Sequence, residues 1–234
     1  MISCKIILAH DATAFANVCM IMEEQQMKVN KIIFATGNAD KMREIQMIMA
    51  DLGMEIQSMK EAGINVDIVE DGKTFEENAM IKASAIAQEV KKSGGQAIVL
   101  ADDSGLEIDY LNKEPGIYSA RYMGEDTSYT VKNANLIKRL EGVPDEKRTA
   151  RFVCVIAAVF PDNRQFTARA AIEGRIGYEE KGENGFGYDP IFYLPEYAMY
   201  SAELTPEEKN RISHRGKALE EMKKVLRQAV EDEK

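Results

Sequence analysis

Apolar residues along this chain follow two periods. Across residues 31–36 (KIIFAT) they are nearly contiguous and partly β-branched, as in a buried strand, and Gly37 breaks the run. From Asn38 the period becomes helical. Met42, Ile45, Ile48, Met49 and Leu52 recur on one face, with Asn38 as N-cap and Gly53 as stop. Residues 54–59 and 64–69 read as two short strands. Thr74 opens a second helix whose apolar face is Ala79, Ala83, Ile86, Ala87 and Val90, and Ser93-Gly94-Gly95 ends it. A strand over 97–101 follows, then a helix over 128–140. Residues 148–160 and 164–176 flank Pro161-Asp162-Asn163 and predict a hairpin of two long strands. A Gly-rich loop occupies 181–189. Thr205 caps a further helix with Pro206 at its first position, and a last helix presents Ala218, Leu219, Met222, Val225 and Leu226 on one side.

Alternating strands and helices place the chain in the α/β class. A purely parallel doubly wound sheet has no room for the long hairpin, so a mixed sheet is expected, with its antiparallel strands in one lobe. The 234 residues, 45% of them hydrophobic, suffice for a single domain or two small lobes. Net charge is -9 and no basic tract is present, which argues against a nucleic-acid polymer as partner. A small anionic ligand needs only a few local cations and remains open. No apolar run approaches the roughly 18 residues of a membrane span. Cys4, Cys19 and Cys154 are odd in number and scattered. They read as free thiols of a reducing, cytoplasmic compartment and not as a disulfide framework or a zinc site.

Residues 1–26 stand apart. Their apolar patch at Ile6–Ala9 is short and broken by His10 and Asp11, a poor secretory signal. Met27 begins a polar lead into the first strand, as a natural start would. The expectation is a non-native or disordered extension over 1–26, arising from a misplaced start codon, followed by one two-lobed domain over 27–234. A genuine N-terminal arm is the alternative, and the upstream DNA or N-terminal peptides separate the two.

Five stretches carry candidate chemistry. The first, Thr36-Gly37-Asn38-Ala39-Asp40-Lys41, lies at a strand-to-helix turn. There a glycine permits close backbone approach, the helix start offers free N–H groups, and Lys41 adds a full charge. It fits an anion site, and equally an ordinary capped helix with an exposed lysine; the spacing is not that of a Walker loop. In the second, Thr74 and Glu77 have the spacing of a capping box, while Glu77 on the first helical turn can also face a metal. In the third, Asp102 and Asp103 end an apolar run, and Ser104-Gly105 suggests a turn. Residue alternation aims the two acids at opposite faces. Side-by-side buried carboxylates repel, and a divalent cation would relieve them, magnesium being favoured by oxygen-only ligands. The fourth, Phe186-Gly187-Tyr188-Asp189, can lay a ring on a flat base with Asp189 accepting from a base N–H, or can bury Phe186 as a plug. The fifth clusters Lys209, His214 and Arg215 after a second capping box, Thr205 and Glu208. It reads as a phosphate or keto-oxygen clamp, or as a solvated basic patch.

Together these stretches describe a nucleoside triphosphate pocket. FATGNADKMREI, TFEENAMIKA, LADDSGLEID with PGIYSARYMG, NGFGYDPIF and ELTPEEKNRISHRGKAL, in that order over about residues 31–218, resemble the noncanonical purine NTP pyrophosphatases, the inosine/xanthosine triphosphate pyrophosphatase family. That resemblance implies an elongated, curved mixed sheet in two lobes flanked by helices, with the active-site cleft between them, and a homodimer. It implies magnesium-dependent hydrolysis of dITP, ITP, XTP or dXTP to the monophosphate and pyrophosphate. By resemblance, the loop from Thr36 to Lys41 holds the triphosphate, and Glu77 and Asp103 bind Mg2+. Asp103 is also the general base, with Ser104 contacting substrate. Phe186 to Asp189 line base and sugar, and Lys209, His214 and Arg215 complete the pocket. A pyrophosphatase of Maf type, acting on pyrimidine or modified nucleotides, is the alternative; the Ser-His-Arg segment and the Phe-Gly-Tyr-Asp loop weigh against it. A nucleotide sensor without turnover would not need a base beside a metal.

Overall fold

The computed structural model describes residues 30–231, so the extension read at 1–26 lies outside the described residues. In chain order the elements are β1 (Lys31–Phe34), α1 (Ala39–Met49), β2 (Glu55–Ser58), α2 (Phe75–Lys92), β3 (Ile98–Ile108), α3 (Tyr129–Arg139), β4 (Thr149–Val159), β5 (Gln165–Ile176), β6 (Phe192–Leu194), β7 (Met199–Tyr200), α4 (Pro206–Ile212) and α5 (His214–Glu231). The strands form one mixed sheet in the order β2-β1-β3-β4-β5-β6-β7. β1 runs parallel to β2 and β3, and every later pairing is antiparallel. The expected hairpin is β4–β5, in register from Thr149↔Arg175 to Val159↔Gln165.

The caps form as the residues dictate. Asn38 Oδ1 accepts from the Asp40 and Lys41 amides at 2.9 and 3.0 Å, and Ser128 caps α3. Thr205 and Glu208 close a full capping box with Pro206 in the first turn. α1 and α5 bury Ile45, Met49, Leu219 and Met222 against one sheet face with Phe34, Leu100 and Ile156. α2 buries Ala79, Ala83 and Ile86 against the other, with Val99, Val153 and Val155. A third cluster gathers Leu106, Ile108, Phe152, Ile176 and Phe192 with Leu136 and Leu140 at the far end. β3, β4 and β5 have 11, 11 and 12 residues. At roughly 3.3 Å per residue such strands span about 35–40 Å, enough to carry a core at each end.

Two expectations change. The Asp-Ser-Gly segment does not turn. β3 continues through it to Ile108, because β4 pairs residue for residue with it, Asp102↔Ile156, Ser104↔Cys154 and Leu106↔Phe152. A ladder of backbone hydrogen bonds outweighs a local turn preference. Gly105 is needed there for space: a Cβ would lie 2.2 Å from the Gly116 carbonyl oxygen and 2.9 Å from Phe75. Residues 64–69 are extended but pair with no strand. Their alternation is nevertheless strict, with Ile64, Val66 and Ile68 packed against the α2-side core and the residues between them exposed.

Candidate active site

β1 ends at Phe34, level with Leu100 of β3, so the chain leaves the sheet just where Asp102 and Ser104 begin. A cavity of about 370 Å³ opens at this point. Thr36, Gly37, Asn38 and Lys41 line it from the β1–α1 turn, Asp102 and Ser104 from β3. Phe186, Gly187, Tyr188 and Asp189 line it from the Gly-rich loop, and Lys209, His214 and Arg215 from α4 and α5. Residues 36 to 215 thus converge although the sequence spreads them over most of the chain. Ala39 and Asp40 face away from the cavity, and Asp40 pairs with Arg43 at 3.0 Å on the helix surface.

The adjacent aspartates point to opposite sheet faces, each to its own cations. Asp102 is 1% exposed. Burial works to neutralise it, but Lys41 Nζ at 2.9 Å and Arg215 Nη2 at 3.2 Å prevail and hold the carboxyl well below the usual carboxylate range. The Ser104 hydroxyl donates to the same Oδ2 at 3.1 Å, while Oδ1 is buried with no partner among the described residues. Asp103 is shifted the other way. Burial raises its pKa, and the charges of Glu70 and Asp102 add to that. Lys82 Nζ at 3.5 Å and the Asn78 amide at 3.3 Å oppose the rise only in part. One acid is held as an anion by two cations, and its neighbour is pushed towards its protonated form.

Lys209, His214 and Arg215 are 5%, 6% and 2% exposed, which rules out a solvated patch. Lys209 Nζ donates to Asp189 Oδ2 at 2.7 Å and to Glu44 Oε1 at 2.9 Å. Arg215 Nη1 reaches Glu44 Oε2 at 2.5 Å. Both cations lie against the Phe186 ring, at 4.8 and 5.5 Å from its centroid. Asp189 is an anchor of its own loop: it accepts from the Phe186 amide at 2.8 Å and from the Ser201 hydroxyl at 2.7 Å. Gly185 (φ +74) makes room, since a Cβ there would sit 2.3 Å from Asp189 Oδ2. His214 is stacked on Phe152, 4.9 Å between centroids. Burial, with Arg215 and Lys209 beside it, keeps the imidazole neutral by holding its pKa well below 6.5.

Glu77 is not brought to this cavity. Its amide donates to Thr74 Oγ1, completing the N-cap, but its carboxylate accepts from the Lys73 amide at 2.5 Å and is exposed beside a separate surface hollow. The glutamate on the cavity wall is Glu70, ion-paired at 2.9 Å to Lys82, the lysine that also faces Asp103. The alternation of 64–69 carried the signal: Glu70 continues the inward series of Ile64, Val66 and Ile68. Asn78 and Lys82, four residues apart on α2, share the face that meets Asp103. Glu44 was invisible for want of a visible partner; Lys209 and Arg215 lie more than 160 residues away.

A family model described as the Ham1 family matches residues 32–225. This chain belongs to the Ham1 family. It is 48% identical over 200 residues to a dITP/XTP pyrophosphatase of Clostridium perfringens, covering 85% of this chain and 98% of that protein. Against a dITP/XTP pyrophosphatase of Exiguobacterium sibiricum it is 46% identical over 196 residues, 84% of this chain and 96% of that one. Its fold superposes on the Staphylococcus aureus Ham1 protein with a TM-score of 0.75 and 39% identity, covering 85% of this chain and 99% of that structure. The Ham1 fold here is therefore an open, mixed α/β sheet flanked by helices. Among the described residues, no helix is long and apolar enough to cross a membrane.

Proposed function

We propose that this Ham1-family chain hydrolyses noncanonical purine nucleoside triphosphates, dITP, ITP, XTP and dXTP, to the monophosphate and pyrophosphate. The carrying observation is the convergence of a helix start, the Asp102 carboxylate, an aromatic loop and two buried cations on one cavity, with Asp103 behind its wall 3.5 Å from the lining residue Lys82. The names of the relatives at 46–48% identity support the same reaction. In this reading the Thr36–Lys41 turn receives the triphosphate on its backbone amides and Lys41. Asp103 takes the proton of the water that attacks the α-phosphorus, a task suited to a carboxyl of raised pKa. Lys209, His214 and Arg215 face the purine, and Phe186 stacks on it. A 6-keto oxygen satisfies their donors, whereas a 6-amino group leaves buried donors unpaired, at about 1–3 kcal/mol each.

The donor set fits magnesium. Glu70 and Asp103 share the Lys82 ammonium, and all their oxygens are hard. Magnesium needs only one or two carboxylates, with substrate phosphates completing its shell. Glu70 and Asp103, in place of Glu77 and Asp103, are the residues that would hold it. Bound there, the ion supplies charge neutralisation for the departing pyrophosphate. The same reading makes the enzyme a cytoplasmic homodimer that clears deaminated purines from the nucleotide pool, with light scattering as the test of the dimer.

The deciding experiment is product analysis with dITP, XTP, dGTP, dATP and dTTP, with and without magnesium. Magnesium-dependent pyrophosphate from dITP and XTP is expected. Orthophosphate as product, or pyrophosphate from dTTP alone, overturns the proposal.

A further inference from the structure

The loop that carries Phe186 and Tyr188 is pinned at three points. Two anchors come from the loop itself: Asp189 accepts the Phe186 amide, and the Tyr188 hydroxyl donates to the Ser119 carbonyl at 2.7 Å. The third comes from α3. Asn133 Nδ2 donates to the Gly187 carbonyl at 3.3 Å and to Glu180 Oε1 at 2.7 Å. Gly187 sits in the left-handed region at φ 70, on the cavity wall, where Tyr129 of α3 packs edge-on against Tyr188.

Asn133 is costly where it stands. It is 1% exposed, and its Oδ1 is buried with no partner among the described residues. An orphaned buried acceptor lowers stability, and an apolar side chain of similar size carries no such acceptor. The acceptor end of the amide therefore adds nothing to the core. Its donors account for its place, and both go to the segment that carries the aromatic wall.

We infer that Asn133 is a positioning residue for nucleotide binding: it sets the Gly187 carbonyl, and through it the Phe186–Tyr188 wall against which the base lies. The inference rests on the proposed function, because the wall matters only if a nucleotide meets it.

The test is Asn133→Leu, with Asn133→Asp as an isosteric companion that presents an acceptor to both Glu180 and the Gly187 carbonyl. Steady-state kinetics with dITP are read beside thermal unfolding. The expected result is a KM raised about three- to tenfold in both variants, the scale of one lost hydrogen bond, with kcat held within about twofold. The unfolding temperature of the Leu variant balances the orphaned acceptor removed against the two hydrogen bonds lost, so KM is the deciding readout. A purely structural role leaves KM unchanged, and that result overturns the inference. So does a KM within twofold of wild type in the Asp variant, should the Leu variant not fold. If wild type releases no pyrophosphate from dITP, the proposed function fails instead, which the wild-type assay alone reveals.

Discussion

The two neighbouring aspartates should respond to the same substitution with opposite signs. Asp102→Asn removes the anion that Lys41 and Arg215 both contact, at 2.9 and 3.2 Å, from a site 1% exposed. Breaking a buried pair costs about 3–5 kcal/mol, chiefly because a buried charge is left uncompensated. For a chain of this size 1 kcal/mol moves Tm by about 2–4 °C, so a fall of roughly 6–20 °C is expected. Asp103→Asn should not do this. Its folded pKa lies above its unfolded value, so its contribution to stability is full at acid pH and is lost as pH rises through the folded pKa. At neutral pH the ionised form strains the fold, and the amide relieves that strain. The lost contact to Lys82 offsets part of the gain, leaving Asp103→Asn within about 1 kcal/mol of wild type or above it. The assay is calorimetry at pH 7 in chelator, with pyrophosphate release measured in parallel. Asp103→Asn should stay folded and lose about 10²–10⁴-fold in kcat. If Asp103→Asn unfolds as early as Asp102→Asn, or if it keeps its turnover, the assignment of an anchor and a base is refuted.

Glu70→Gln should lower kcat/KM by at least about 100-fold, several kcal/mol of charge stabilisation, while Glu77→Gln stays within about threefold; equal losses would return the metal role to Glu77. Gly105→Ala should cost about 1–3 kcal/mol or more through the Cβ contact of 2.2 Å with the Gly116 carbonyl, checked by denaturant unfolding. Because His214 is neutral, the pH profile of kcat/KM should show no limb near 6.5, and His214→Gln should leave the shape of that profile unchanged while altering base preference.

Much of the architecture was legible because its causes are local. The face of α1 from Met42 to Met49, the caps at Asn38, Thr74 and Thr205, and the β4–β5 hairpin around Pro161-Asp162-Asn163 follow from side-chain period, capping chemistry and turn residues within a few positions. Twelve of the named site residues reach one cavity, from the β1–α1 turn, the middle of β3, the Gly-rich loop, and α4 and α5. Other features depend on partners far along the chain. The straight run of β3 through Asp-Ser-Gly exists because β4 supplies a ladder some fifty residues later. Glu70 faces inward because 64–68 pack on α2 without pairing. Lys209 and Arg215 are buried because Glu44, Asp189 and Asp102 surround them with anions. Residue order by itself determined which segments are strands and helices, that the two aspartates diverge, and the family that the motifs resemble. Only the tertiary structure decided which aspartate is locked, which glutamate faces the cavity, and how the buried charges are paired. Those outcomes are set by distance and desolvation, and neither exists until the chain has packed.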